Sequence, residues 1–144
     1  MAAIESPERR DLPPEVSMKL LSTVRFGRVV FSRHALPVIR PVNHVVDGDQ
    51  IIIRTGTGTT LASFRQVVAY EADTIDHDSQ LGWCVIVTGT AEKITSADDI
   101  DRYRAQFSPP EASSGVDLVR ITADIVTGIE YAATDGDHSP LLAD

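Results

Sequence analysis

LPVIRPVNHVVDGDQIIIRTGTGTTL, residues Leu36 to Leu61, is the stretch on which the reading of this chain turns. It reads as two apolar strands joined by a tight turn, followed at once by a Gly/Thr run that ends where a helix can begin. Asp47-Gly48 is the expected turn, because a two-residue hairpin loop matched to strand twist needs positive φ at both central positions and Asp-Gly tolerates it. Val45 and Val46 lead in, and Ile51, Ile52 and Ile53 lead out. The second strand ends in Arg54-Thr55, and Gly56-Thr57-Gly58-Thr59-Thr60 then brings small residues, free N–H groups and hydroxyls beside one guanidinium. Such a run can cradle an anion, since helix N-terminal N–H groups have no intrahelical partner and the helix dipole favours negative charge there. Arg54 adds a fixed charge with bidentate geometry. The run is neither GxGxxG nor a Walker-type loop, so both of those nucleotide fingerprints are absent. An ordinary strand-to-helix loop stays open as the alternative.

Composition narrows the classes around this segment. A chain of 144 residues is most simply one domain with its own core. At 42% hydrophobic and 24% charged residues it has a globular composition. The net charge of −8 opposes nucleic-acid binding, which depends on Lys and Arg contacts to phosphate, and opposes docking on anionic lipid. No apolar run approaches the roughly 20 residues of a membrane span, and MAAIESPERR lacks a signal-peptide core, so a cytoplasmic protein is expected. The single cysteine, Cys84, lies in the apolar run Trp83–Val87 and reads as a small buried hydrophobe.

In chain order, residues 1–10 read as a loose arm. Asp11 then caps a helix of about three turns whose apolar stripe is Val16, Leu20, Leu21 and Val24. Gly27–Ser32 is a strand, Arg33-His34-Ala35 a turn, and Leu36–Val46 a second strand. Pro37 and Pro41 place that strand at an edge or a bulge, because proline cannot donate to a ladder. After the cradle, Leu61–Arg65 should be a short helix, and Val67–Asp73 and Trp83–Ile94 two more strands. Ser96 opens a helix burying Ile100, Tyr103 and Phe107, which Ser108-Pro109-Pro110 ends. After a flexible stretch around Ser113-Ser114-Gly115, Asp117–Tyr131 is a last strand, kinked near Ala123-Asp124 with Gly128 as a bulge. Residues 134–144 read as disordered. Six or so closely spaced strands with only two or three helices predict a mainly β fold, a small antiparallel barrel decorated by helices, rather than βαβ units.

Little conventional catalytic patterning is present. His34, His44, His77 and His138 have no metal-ligand spacing. Glu71, Asp73, Asp76 and Asp78 do not match a calcium loop and read as a solvated edge. Cys84 has no identifiable base, and Trp83 reads as core on general grounds. His44 follows Asn43 on the cradle-side strand, and alternation points one of the two inward.

The motifs Pro37–Asn43, the turn Asp47–Asp49, Ile51–Ala62, Gly82–Ala91 and Val119–Gly128 carry a family likeness. In this order they resemble the pyridoxamine 5′-phosphate oxidase-like split-barrel flavoproteins, over roughly residues 13–131. The resemblance implies a six-stranded antiparallel split β-barrel, commonly a homodimer, holding FMN, or a deazaflavin such as coenzyme F420, in clefts between subunits. It would lay Arg40, Pro41, Val42 and Asn43 along the flavin ring, set Arg54, Thr55, Thr59 and Thr60 around the ribityl phosphate, and bring the partner subunit's Trp83 against the ring. Many relatives carry Lys at the position of Thr60. A neutral hydroxyl there forgoes a charge-assisted contact of about 1.5–3 kcal/mol for one of about 1, roughly a tenfold loss of affinity. The Trp and Arg pattern of full-length vitamin oxidases has no match in Asp117–Tyr131, so that vitamin activity is not expected. Three readings follow: an FMN-dependent oxidoreductase acting on a small molecule, a non-catalytic binder of FMN, a deazaflavin or haem, and a cofactor-free interaction module.

Overall fold

The computed structural model describes residues 7–56, 61, 65–107 and 116–134. Seven strands and two helices follow in the order β1 (Glu8–Leu12), α1 (Pro14–Leu21), β2 (Phe26–Arg33), β3 (Leu36–Asp47), β4 (Gln50–Gly56), β5 (Gln66–Asp73), β6 (Gly82–Lys93), α2 (Ala97–Arg104) and β7 (Val116–Ala132). The strands form one antiparallel sheet in the order β1-β7-β4-β3-β2-β5-β6, and β6 pairs back onto β7. Six strands therefore close into a ring with β1 attached outside it, consistent with the split-barrel fold.

The isoleucine run of β4 shows why the ring needs both an interior and a flank. Ile51 and Ile53 face one side of β4 and Ile52 the other, yet all three are fully buried. Ile51 and Ile53 join Val29, Tyr70, Val85, Val87, Val119 and Ile121 inside the ring, where Leu20 and Leu21 of α1 also pack. Ile52 packs outside, with Ile94, Tyr103, Phe107 and Leu118, under α2. Each buried isoleucine contributes about 1.5–3 kcal/mol by leaving water.

The β3–β4 turn differs from the reading by pattern, whereas the turn read at Arg33-His34-Ala35 is found at His34-Ala35. Asp47 pairs with Gln50, so the β3–β4 loop is Gly48-Asp49, one residue later than expected. Only Gly48 has positive φ (63°), which is the type II′ requirement, and Asp47 stays extended in the strand. The loop that does need two left-handed residues is His34-Ala35 between β2 and β3, with φ 51° and 64° and no glycine to ease them.

The N-terminal reading is corrected as well. Residues 8–12 are not a loose arm but a strand on β7, with Leu12 opposite Gly128 and Arg10 3.6 Å from the buried Glu130 carboxylate. Asp11 lies exposed on that strand, and α1 starts after Pro13, whose carbonyl accepts from the Ser17 N–H and hydroxyl. Asp124 is the extra residue of a bulge, because Thr88 pairs with Ile125 and Gly89 with Ala123. Gly128 is no bulge; a Cβ there would collide with the Ser17 hydroxyl where α1 crosses β7. Ser96 caps α2 as expected, accepting from the Asp99 N–H at 3.4 Å. The rest of the 61–65 helix, the 108–110 stop, the 113–115 stretch, the tail beyond 134 and His138 lie outside the described residues.

A candidate anion site in the fork of the sheet

β3 changes partners along its length, and the site arises where it does so. His44–Asp47 pair with Ile53–Gln50 of β4, whereas Leu36–Asn43 pair only with β2. Beyond the His44–Ile53 pair the two strands part, and Arg54–Gly56 continue against Leu118–Val116 of β7. The prolines fit this divergence. His44 gives its N–H to the Arg25 carbonyl on the β2 side, so Pro37 and Pro41, of opposite parity, turn their ring nitrogens to the open side, where no ladder bond is lost.

The fork holds a cavity of about 270 Å³. Arg40, Pro41 and Val42 line it from β3, Arg54, Thr55 and Gly56 from β4, and Val29, Phe31 and Leu61 close its floor. Two arginines thus line one cavity in a chain of net charge −8. Arg40 is exposed and forms no ion pair among the described residues. Arg54 is half-buried; its Nη2 donates to Asn43 Oδ1 at 3.0 Å and its Cζ lies 5.0 Å from the centre of the Phe107 ring. Asn43 is fixed in turn by donating to the Arg25 carbonyl at 3.3 Å. Thr55 is buried, its hydroxyl 3.4 Å from the Asp117 carbonyl, and beside Gly56 there is open space.

Six of the nine residues singled out by sequence sit at or beside the fork, Arg40, Pro41, Val42, Asn43, Arg54 and Thr55, while Thr59 and Thr60 lie outside the described residues. Trp83 stands apart. Its side chain is 4% exposed and packs in the core of its own chain. Phe107, read from sequence as a helix-core residue, is the member that local pattern missed; only the fold brings it to Arg54.

His44 points inward at the fork's vertex. Its Nε2 lies 2.9 Å from the Leu21 carbonyl, which can only accept, so Nε2 carries the proton and Nδ1 accepts from Tyr70 Oη at 2.5 Å. Burial lowers the His44 pKa below its ordinary 6.5 against the pull of backbone carbonyls, and burial likewise raises that of Tyr70. This pair pins β3 to β5 and α1 and does not line the fork.

A wider groove of about 1000 Å³ crosses the outer face of the sheet. In it Arg28 lies 3.0 Å from Glu71 and 3.6 Å from Asp73, and the Cys84 thiol donates to Glu71 at 3.6 Å. Burial, then the Glu71 charge, pushes the Cys84 thiol up to about 11, so it is not a ready nucleophile. Burial and Asp73 raise the Glu71 pKa, with Arg28 opposing. Among the described residues no cluster of His, Cys, Asp and Glu is placed to hold a metal ion, and no helix is long and apolar enough to cross a membrane.

The family model described as pyridoxamine 5′-phosphate oxidase matches residues 13–133, which includes every element of the ring and both arms of the fork. The chain belongs to the pyridoxamine 5′-phosphate oxidase family. It is 40% identical over 130 residues to the uncharacterized protein Rv0080 of Mycobacterium tuberculosis, covering 85% of this chain and 86% of that one. A crystal structure of a candidate pyridoxamine 5′-phosphate oxidase from Corynebacterium glutamicum superposes with TM-score 0.73 at 32% identity, over 88% of this chain and 100% of that one. An FAD-binding protein from Mycobacterium smegmatis superposes with TM-score 0.66 at 27% identity, over 86% and 99%.

Proposed function

We propose that the chain is a flavin-binding protein of this family that takes the phosphorylated end of FMN in the fork and acts as an oxidoreductase on a small organic molecule. The observation that carries this reading is the convergence of Arg40, Arg54 and the open edge at Gly56 on one cavity. Guanidiniums suit a phosphate because each offers paired, planar N–H donors with permanent charge. The FAD-binding relative supports a flavin and leaves FMN, FAD and a deazaflavin as ligands to be compared.

Size favours a shared site. At about 270 Å³ the fork is smaller than the roughly 300–1,000 Å³ of pockets that enclose a whole drug-sized ligand. The fork would hold the phosphate, while the ring would lie against β3, where Pro41 and Asn43 face outward. Pro41, Arg28, Glu71 and Ile86 are successive cross-strand partners on that outer face. The same face exposes Phe26, Ile39, Val67, Ile86 and Ile125, an apolar set suited to a second copy of the chain that would also cover the ring.

A bound flavin would supply the hydride or electron-pair chemistry. The chain's own contribution is anchorage by Arg40 and Arg54, orientation by the β3 edge and exclusion of water. A second reading, a non-catalytic flavin carrier, is favoured by the fork's lining, which among the described residues holds no carboxylate, imidazole or thiol. Absorbance of the purified protein, before and after soaking with FMN, tests the proposal. A bound flavin spectrum with oxidation of reduced nicotinamide supports the oxidoreductase; a spectrum without turnover on nicotinamides or other donors supports the carrier; no uptake of any flavin refutes both. Thr60→Lys, restoring the ammonium of many relatives, is expected to tighten FMN about tenfold.

A further inference from the structure

We infer that the cluster of Arg28, Glu71 and Asp73 makes the pairing of the outer sheet face with a second copy of the chain acid-dependent, an inference that rests on the reading above that such a copy covers this face. Pro41, Arg28, Glu71 and Ile86 lie opposite one another across β3, β2, β5 and β6, and the neighbouring row begins at Ile39 and ends at Ile125. Ile39, Val67, Ile86 and Ile125 stand exposed around a charged centre. There Arg28 Nη1 lies 3.0 Å from Glu71 Oε1 and 3.6 Å from Asp73 Oδ2, and the Cys84 thiol donates to Glu71 Oε2 at 3.6 Å. A second copy fits this face on two counts. Both signs of charge sit side by side on it, so a two-fold arrangement can bring the arginine of each copy into the field of the other's carboxylates. Pro41 also belongs both to this row and to the lining of the fork, so a body seated over the mouth of the fork continues onto the face.

The centre sets one cation against two carboxylates, and all three still reach water, with side-chain exposures of 51% for Arg28, 26% for Glu71 and 28% for Asp73. Covering the face removes that water. A surplus carboxylate is then costly to bury, whereas one proton on the pair leaves one cation facing one anion. Glu71 is placed to take that proton: burial, then Asp73, already raises its pKa in the single chain, with Arg28 opposing, and a second copy adds to the burial. The other titratable groups of the groove are Cys84 of β6, Tyr131 of β7, and Asp76 and His77 between β5 and β6. Burial, then the Glu71 charge, keeps the Cys84 thiol protonated, and the Ser79 and Asp78 N–H groups keep Asp76 ionised. His77 is exposed. Pairing therefore takes up protons. Its affinity is greatest below the Glu71 pKa of the single chain and falls as pH rises to the higher value in the pair.

Sedimentation equilibrium of the full chain between about pH 5 and pH 8 tests this, in about 0.3 M salt so that the net charge of −8 is screened. The dimer is expected to tighten as pH falls, by up to about tenfold per pH unit for each copy that takes a proton. Glu71→Gln, whose amide can accept from Arg28 and donate to Asp73, should pair at the alkaline end as tightly as the wild type does at its acid limit, with a flat profile. His77→Gln should keep the wild-type slope, and Ile125→Lys, at an exposed position of the face, should weaken pairing at least about tenfold at every pH. Dilution calorimetry in buffers of different ionisation heat reads the same point without a variant, as net proton uptake on pairing. No uptake, a wild-type profile matching that of Glu71→Gln, a slope lost in His77→Gln, a dimer indifferent to Ile125→Lys, or a monomer throughout overturns the inference. None of these measurements uses a cofactor. A chain that takes up no flavin yet pairs in this way refutes the functional reading alone, and a flavin-binding chain with a flat profile refutes this inference alone.

Discussion

The two ends of the β3–β4 hairpin are built from adjacent residues and do opposite things. At the closed end, four residues of each strand pair, Ile51 and Ile53 are fully buried, and Gly48 turns the chain back. At the open end the same strands part, proline replaces ladder donors on β3, and Arg40 and Arg54 both line a cavity. Stability is concentrated at the first end and charge at the second. Because β2 and β7 satisfy the outer edges of the parted strands, the fork can expose cations without unravelling the sheet.

Substitutions at neighbouring positions should separate these roles. The largest effect is expected at Ile53, the last fully paired residue of β4: Ile53→Ala should cost about 2–5 kcal/mol in urea unfolding, since the ring interior cannot collapse onto the space left. One residue on, Arg54→Ala should leave unfolding within about 1 kcal/mol while weakening FMN about 10- to 150-fold, the cost of a charge-assisted contact. Comparable stability losses at both positions would erase the contrast.

The vertex between the two ends should respond to acid. Burial depresses the His44 pKa from 6.5, so below that pH the unfolded chain takes up a proton that the folded chain does not. Stability contributed by this group is complete above pH 6.5 and is lost as pH falls toward the folded value, with a slope of at most about 1.4 kcal/mol per pH unit. His44→Gln should flatten that part of the urea-midpoint profile; a wild-type profile identical to the variant's would contradict the assignment. The smallest effect belongs to the tip of the open arm. Replacing His34-Ala35 with Asn-Gly should raise stability by about 1 kcal/mol by easing two left-handed residues, with no change in FMN affinity.

The hairpin and its cation were legible because short-range rules govern them: an isoleucine run, a glycine turn, and prolines that forbid continued pairing. The turn was misplaced by one residue because Asp47-Gly48 and Gly48-Asp49 both satisfy turn chemistry, and in the fold Asp47 pairs with Gln50. β1 was hidden for another reason. Glu8–Leu12 is polar, and it is a strand because β7 offers a free edge, not because of any apolar alternation. The turn read at Arg33-His34-Ala35 follows from its place between two strands, and the Arg33–Leu36 pair narrows it to His34-Ala35. At the site, Arg54 and Thr55 were readable as a local cluster and Arg40 only through the family likeness, whereas Phe107 reaches Arg54 only through α2. Trp83 was lifted out of the core by family likeness, and the structure returns it there.

The most direct test of the fork as a phosphate site is the gap between FMN and riboflavin affinities, measured by fluorescence titration in the wild type and in Arg54→Ala. The account predicts FMN binding at least about tenfold tighter in the wild type, and a gap that closes when the guanidinium is removed. Equal affinities in the wild type, or a gap untouched by Arg54→Ala, would contradict it.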